Sequence, residues 1–162
     1  MTTEHSFKVQ TSSGSDEWGT PRALFGKLSH HFAFTLDGAA SADNTLLPKY
    51  YSKENSIFGQ DLTDEVVFCN PPYSQCAEFL QLFATAPVES AVLLVPARPG
   101  TNYWFQYVWP YATTVCFVKG RLKFLHDGMP THSAPFDSAL IVYGKGGVPP
   151  GIGMNINLRK VL

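Results

Sequence analysis

The chain has 162 residues, 44% hydrophobic and 15% charged, with a formal net charge of −1. That length suits one compact domain, and that apolar share excludes wholesale disorder. The near-neutral balance lacks the basic excess of a dedicated DNA-binding domain, so any nucleic-acid surface must be a local patch.

In chain order, residues 1–15 are polar and Ser/Thr-rich and read as a mobile tail; residues 16–162 read as one domain. Asp16 to Pro21 forms a loop entering a helix, with Thr20 as candidate N-cap and Pro21 at the first helical position. The helix runs from Arg22 to His30. His31 to Asp37 reads as a strand ending on an acid, followed by the small residues Gly38, Ala39, Ala40 and Ser41. Thr45 to Lys53 suggests a short helical turn around Pro48. Glu65 to Cys69 is a short apolar strand ending at Asn70. Ser74 to Ala84 is an amphipathic helix. Ser90 to Val95 is continuously apolar, the mark of a strand buried on both faces. A second helix spans Asn102 to Val108, with Thr101 as its cap. Thr113 to Val118 and Ser138 to Tyr143 are further strands, separated by a polar loop over Leu125 to Ala134. Gly144 to Gly153 is a Gly/Pro-rich turn, and Met154 to Leu162 is an edge strand or tail.

Strands alternating with helices predict an α/β fold with a mostly parallel central sheet flanked by helices. Ligands in such sheets bind beyond the carboxyl ends of the strands. The first three strands end in Asp37, in Asn70-Pro71-Pro72-Tyr73 and in Pro96-Ala97-Arg98, so parallel strands would gather these groups on one edge. The three cysteines, Cys69, Cys76 and Cys116, fit no disulfide framework or zinc spacing and read as buried thiols of an intracellular protein. No apolar run approaches the ~20 residues of a membrane span. The histidines make no metal-ligand spacing with a Cys or acid pair, so no metal is expected.

Asn70-Pro71-Pro72-Tyr73 carries the strongest chemical signal. The exocyclic amine of adenine is a poor nucleophile because its lone pair is delocalised into the ring. The Asn70 side-chain oxygen and the Pro71 carbonyl could accept its two hydrogens. Those acceptors strengthen as positive charge grows on nitrogen during methyl transfer. Pro71 and Pro72 stiffen the backbone, and Tyr73 offers a face on which an extruded base can stack. The competing interpretation is a rigid Pro-Pro turn or a Pro-Pro-Tyr ligand segment. Chance occurrence is on the order of one percent or less in a chain this short.

Four weaker signals accompany it. Asp37, with Gly38 and Ala39 behind it, could hold the cationic amine of a methionine moiety, although Asp-Gly at a strand end is also ordinary turn chemistry. Trp18 and Thr20-Pro21 could meet a carboxylate at a helix start, or could be a cap and a packing ring. Asp61 could bond a cofactor adenine or ribose, or sit in a solvated turn. Arg98, Lys119, Arg121 and Lys123 form the one basic cluster, with Phe117 and Phe124 interleaved, and could contact phosphate or be solvated strand ends.

These residues together resemble the phage-type, Dam-like DNA N6-adenine methyltransferases. The resemblance runs from about Asp16 to Tyr143 and is carried by several segments. They are Trp18-x-Thr20-Pro21, Leu36-Asp37-Gly38-Ala39-Ala40-Ser41, Asn44, Tyr50-Tyr51, Asp61-Leu62 and Phe68 to Ser74. Leu94 to Ala97, Trp104, Gly120-Arg121-Leu122-x-Phe124 and Ser138-Ala139-Leu140 complete the pattern. It implies a Rossmann-like methyltransferase fold, S-adenosylmethionine as cofactor and adenine in DNA as substrate. It further implies a cytoplasmic setting, a bacterial host cell if the chain is phage-encoded. Carried over, Asn70, Pro71, Pro72 and Tyr73 are catalytic. Trp18, Thr20, Pro21, Asp37, Gly38, Ala39, Asp61 and Asn70 serve the cofactor. Gly38 departs from the bulkier Pro or Val anticipated there. Only Leu125 to Ala134 could serve target recognition. Two alternatives stay open: an amino-methyltransferase for RNA adenine, cytosine N4 or protein glutamine, and a non-catalytic binding module derived from a methyltransferase. Oligomeric state is undetermined.

Overall fold

The computed structural model describes residues 18–158. The expected tail at residues 1–15 lies outside the described residues. In chain order the elements begin with α1 (Arg22–Ser29), β1 (Leu36–Asp37) and β2 (Val66–Cys69). A 3-10 turn, Tyr73–Gln75, leads into α2 (Cys76–Thr85). Then come β3 (Ser90–Pro96), α3 (Asn102–Tyr107), β4 (Thr114–Val118), β5 (Leu125–His126), β6 (Met129–Pro130), β7 (Ser138–Gly144) and β8 (Gly153–Asn157). The elements follow the sequence expectation, with four local differences. The short helical turn expected over Thr45 to Lys53 does not form; that segment holds bends and a single parallel bridge from Tyr50 to Asp37. The strand expected from His31 narrows to Leu36–Asp37. Neither α1 nor α3 has a side-chain N-cap bond: Pro21, not Thr20, stands at the N-cap of α1 and has no side-chain acceptor, and Thr101 donates its hydroxyl to the Arg98 carbonyl. The expected polar loop after Phe124 contains the hairpin β5–β6, turned by Asp127 and Gly128, both at positive φ.

The main sheet has the order β1-β2-β3-β7-β4-β8. The expectation of a mostly parallel sheet holds only for β1-β2-β3; the pairings β3–β7, β4–β7 and β4–β8 are antiparallel. The cause is legible in the connections. A parallel neighbour needs a long crossover, usually helical. Helices join β2 to β3 and β3 to β4, but the connection from β4 to β7 contains none. The chain returns through the hairpin as β7, which inserts between β3 and β4 and runs against both. β4 nevertheless points the same way as β1, β2 and β3, since it is also antiparallel to β7.

Alternate residues feed two cores. Ala91, Leu93 and Val95 of β3 pack with Phe79, Leu80 and Phe83 of α2 and Trp104 of α3 on one face. Val92 and Leu94 pack with Leu24 and Leu28 of α1 and Phe124 on the other. Every residue of β3 is buried, as its unbroken apolar run required. Cys69, Cys76 and Cys116 are buried within these cores, none of them in a disulfide. Among the described residues no helix is long and apolar enough to cross a membrane.

Candidate active site

The parallel strands bring Asp37, at the end of β1, beside Asn70, which follows β2. Asp37 is buried, and Gly38 donates its amide to the Phe68 carbonyl, stitching the two strand ends together. The Asp37 Oδ2 accepts the Leu46 amide at 3.1 Å and Oδ1 accepts the Ala39 amide at 3.4 Å. Burial pushes this carboxyl up to about 6, against the lowering effect of the bonds from Leu46, Ala39 and Thr45. The Asp37 backbone also donates to the Lys49 carbonyl and accepts from Tyr51, so the segment after β1 folds back over the strand end.

Gly38 departs from the anticipated bulkier residue for a packing reason. A Cβ there would lie 3.1 Å from Val67 Cγ1 and 3.3 Å from both Cys69 Cβ and Ile57 Cδ1. The small side chain lets Ile57 close over the strand ends.

Asn70 is the best-defined polar group of the site. Its Nδ2 donates to the Trp18 carbonyl at 2.6 Å and to Thr20 Oγ1 at 3.2 Å. A carbonyl can only accept, so the amide orientation is fixed: the reverse flip would oppose two oxygens. Asn70 Oδ1 is thereby directed away from that anchor, and it is buried without a hydrogen-bond partner.

A cavity of about 320 Å³ lies over these strand ends. That volume is within the range of small-molecule sites. It is lined by Trp18, Gly19 and Thr20, by Asp37, Gly38, Ala39 and Ala40 after β1, by Tyr51, Lys53, Ile57 and Phe58 of the loop that follows, by Asn70 and Pro72, and by Phe79 of α2. Phe58 and Phe79 meet edge-on, centroids 5.0 Å apart. A small ligand with both polar and apolar parts fits such a lining. Lys53, Ile57, Phe58 and Phe79 have no counterpart among the sequence-predicted site residues; they come from a loop and from α2.

The other predicted residues fall around this cavity. Pro21 directly precedes α1. Pro71 is buried, and the Pro72 carbonyl accepts the Gln75 amide, starting the turn into α2. Tyr73 does not line the cavity; its ring meets Phe124 and Phe136 edge-on, at 5.9 and 5.2 Å between centroids. Its hydroxyl is buried without a partner, and burial pushes its pKa up. Asp61 is exposed and away from the cavity lining. Its Oδ1 accepts the Thr63 amide and hydroxyl, which holds its pKa down. Arg98 follows β3 and Lys119, Arg121 and Lys123 follow β4, so all four are exposed at the carboxyl edge. Arg121 approaches Asp137 only to 3.7 Å, both side chains well exposed, a pairing worth little. Among the described residues no group of three His, Cys, Asp or Glu side chains could hold a metal ion.

Comparison with known proteins places the chain in a family. Residues 8–146 match the family described as DNA N-6-adenine-methyltransferase (Dam). A DNA N-6-adenine-methyltransferase of Escherichia phage T1 is 28% identical over 121 residues, covering 70% of this chain and 49% of that protein. One of Haemophilus phage HP1 is 24% identical over 120 residues, covering 71% of this chain and 69% of that protein. The chain thus spans about half the length of the first relative and about two-thirds of the second.

Proposed function

The chain belongs to the DNA N-6-adenine-methyltransferase (Dam) family, and on that premise we propose that it methylates the exocyclic amine of adenine in DNA, with S-adenosylmethionine as donor. The observation that carries the reading is Asn70 Oδ1, an acceptor without a partner at the wall of a cavity over the parallel strand ends. A buried acceptor left unmatched is costly, and a ligand that donates a hydrogen bond removes that cost. The parallel half of the sheet, with its cavity at the carboxyl edge, supports a Rossmann-like cofactor half.

The residues present fit the cofactor. Asp37, ionised above about pH 6, would face its ammonium, with Gly38 and Ala39 giving close backbone approach. Trp18, Thr20 and Pro21 would meet the methionine end. Ile57, Phe58 and Phe79 would cover its adenine ring. Bound there, the cofactor supplies an electrophilic methyl group on a sulfonium. The chain's own residues do the rest. Asn70 Oδ1 accepts one hydrogen of the target amine and the Pro71 carbonyl the other, which localises the nitrogen lone pair. Both acceptors strengthen as that nitrogen becomes cationic, and they are rigidly held in advance. Tyr73 would give the flipped base a stacking face, and Pro72 fixes the backbone between them. The methylated nitrogen then loses its proton to water. Arg98, Lys119, Arg121 and Lys123 would meet DNA phosphates at the same edge. Asp61 would reach the cofactor only by movement of its loop.

Incubation of purified protein with methyl-labelled S-adenosylmethionine and adenine-containing DNA, followed by mass analysis of the nucleosides, tests the reading. N6-methyladenine is expected. Label in cytosine, in RNA alone or in protein would redirect it to another planar amine, and absence of cofactor binding would leave a binding module.

A further inference from the structure

The strap Trp18-Gly19-Thr20 has a second anchor besides Asn70. Gly19 and Leu125 exchange backbone hydrogen bonds, both at 2.8 Å, in an isolated antiparallel bridge. Their approach leaves no room for a side chain: a Cβ on Gly19 would lie 2.8 Å from Leu125 Cβ and 3.0 Å from its carbonyl oxygen. Trp18 adds an edge-on contact with Phe124, centroids 6.1 Å apart. The strap is therefore held by the start of β5 on one side and takes both amide hydrogens of Asn70 on the other. Asn70 makes no other bond through its carboxamide, so nothing else fixes its rotation.

We propose that this strap is a positioning device for Asn70, in which the Trp18 carbonyl and the Thr20 hydroxyl hold the carboxamide in the one orientation that offers Oδ1 to the target amine, and Gly19 lets β5 hold the strap. The proposal rests on the reading of Asn70 as the acceptor of the adenine amine. It gives Thr20 a role distinct from helix capping, which its hydroxyl does not perform. It also makes Leu125, on the hairpin, a positioning residue through its backbone. A hairpin displaced by a wrong partner would carry Trp18 with it and free the Asn70 amide.

The test combines rates with proton exchange in the full-length protein. The 15N-resolved side-chain amide signal of Asn70, identified by its loss in Asn70→Ala, should show both hydrogens protected in the wild type. Thr20→Val, close in shape but without the acceptor, should release one hydrogen and slow single-turnover methyl transfer roughly tenfold, the scale of one lost hydrogen bond. Thr20→Ser should restore both. Gly19→Ala should release both hydrogens and slow transfer about 100-fold, as displacement of a reacting group by about 1 Å does. Because Thr20 also lines the cavity proposed for the cofactor, rates are compared with each variant saturated in S-adenosylmethionine; under that condition neither change should slow the residual rate of Asn70→Ala further. If both variants still lowered that rate, or left the Asn70 protons protected, the strap would be packing alone and the proposal wrong. If Gly19→Ala did not fold, Thr20→Val and Thr20→Ser would decide between these outcomes. If the wild type bound no cofactor and methylated no DNA, while its Asn70 protons were protected and released by Thr20→Val, the functional reading would fail and the anchoring would stand.

Discussion

Leu46 donates its backbone amide to Asp37 Oδ2 at 3.1 Å, holding the loop beyond β1 against a carboxylate that is almost wholly out of water. The bond lowers the Asp37 pKa but does not overcome burial, and the group stands at about 6 against an ordinary value of 3.8. The folded chain therefore binds the proton more tightly than the unfolded chain between these values. Stability is favoured below about pH 4 and declines as pH rises towards 6, by an amount on the order of 3 kcal/mol. A cationic ligand group beside Asp37 reverses the balance, because it favours the ionised form. S-adenosylmethionine should bind about tenfold more weakly at pH 5 than at pH 7, by calorimetry. An affinity constant across that range would remove Asp37 from the ammonium site.

Asn70→Ala should reduce methyl transfer by about 10²–10³, the usual scale for loss of one preorganised charge-stabilising group. Cofactor affinity should change far less, since other cavity walls remain. Single-turnover rates and binding measured on one preparation check the split. An unchanged rate would refute the mechanism.

Tyr73 separates ring from hydroxyl. Its oxygen is buried without a partner, so Tyr73→Phe should keep activity and hold or raise thermal stability. Tyr73→Ala should lose the stacking face, worth about 1–3 kcal/mol per base, or roughly 5- to 150-fold in DNA affinity or rate. Its edge-on contacts with Phe124 and Phe136 go too, and a lower melting temperature is expected.

Gly38→Val tests why the bulkier residue is missing. Its side chain would press on Val67, Cys69 and Ile57. Overpacking of this kind costs about 1–3 kcal/mol, readable in denaturant titration. An unperturbed melting curve would show that Ile57 moves freely.

The basic edge predicts salt dependence. Lys119→Ala and Lys123→Ala should each weaken DNA binding alike across sequences. Each should also reduce the slope of log affinity against log salt by about one. A variant that changes sequence preference instead would be reading bases.

The proposed chemistry rests mainly on sequence. Asn70-Pro71-Pro72-Tyr73 sets an amide acceptor, a stiff backbone and a ring in succession, the set that the proposed amine methylation would use. The unbroken apolar run of β3 gave its burial on both faces, and the strand-end positions of Asp37 and Asn70 gave one shared edge. Sheet direction was less legible. β7 is as apolar as a parallel core strand, and only the absence of a helix between β4 and β7 distinguishes its return path. The apolar wall from Ile57, Phe58 and Phe79 has no local signature, since its members come together only when the loop folds over α2.

The sequence by itself determined which residue types stand at which strand ends, and so which groups the proposed reaction could use, because those are local matters of periodicity, turns and side-chain chemistry. Only the tertiary structure decided which way Asn70 faces. That depends on a carbonyl at Trp18, a hydroxyl at Thr20 and a bridge from Gly19 to Leu125, and these meet only because the folded sheet brings distant segments within hydrogen-bond reach.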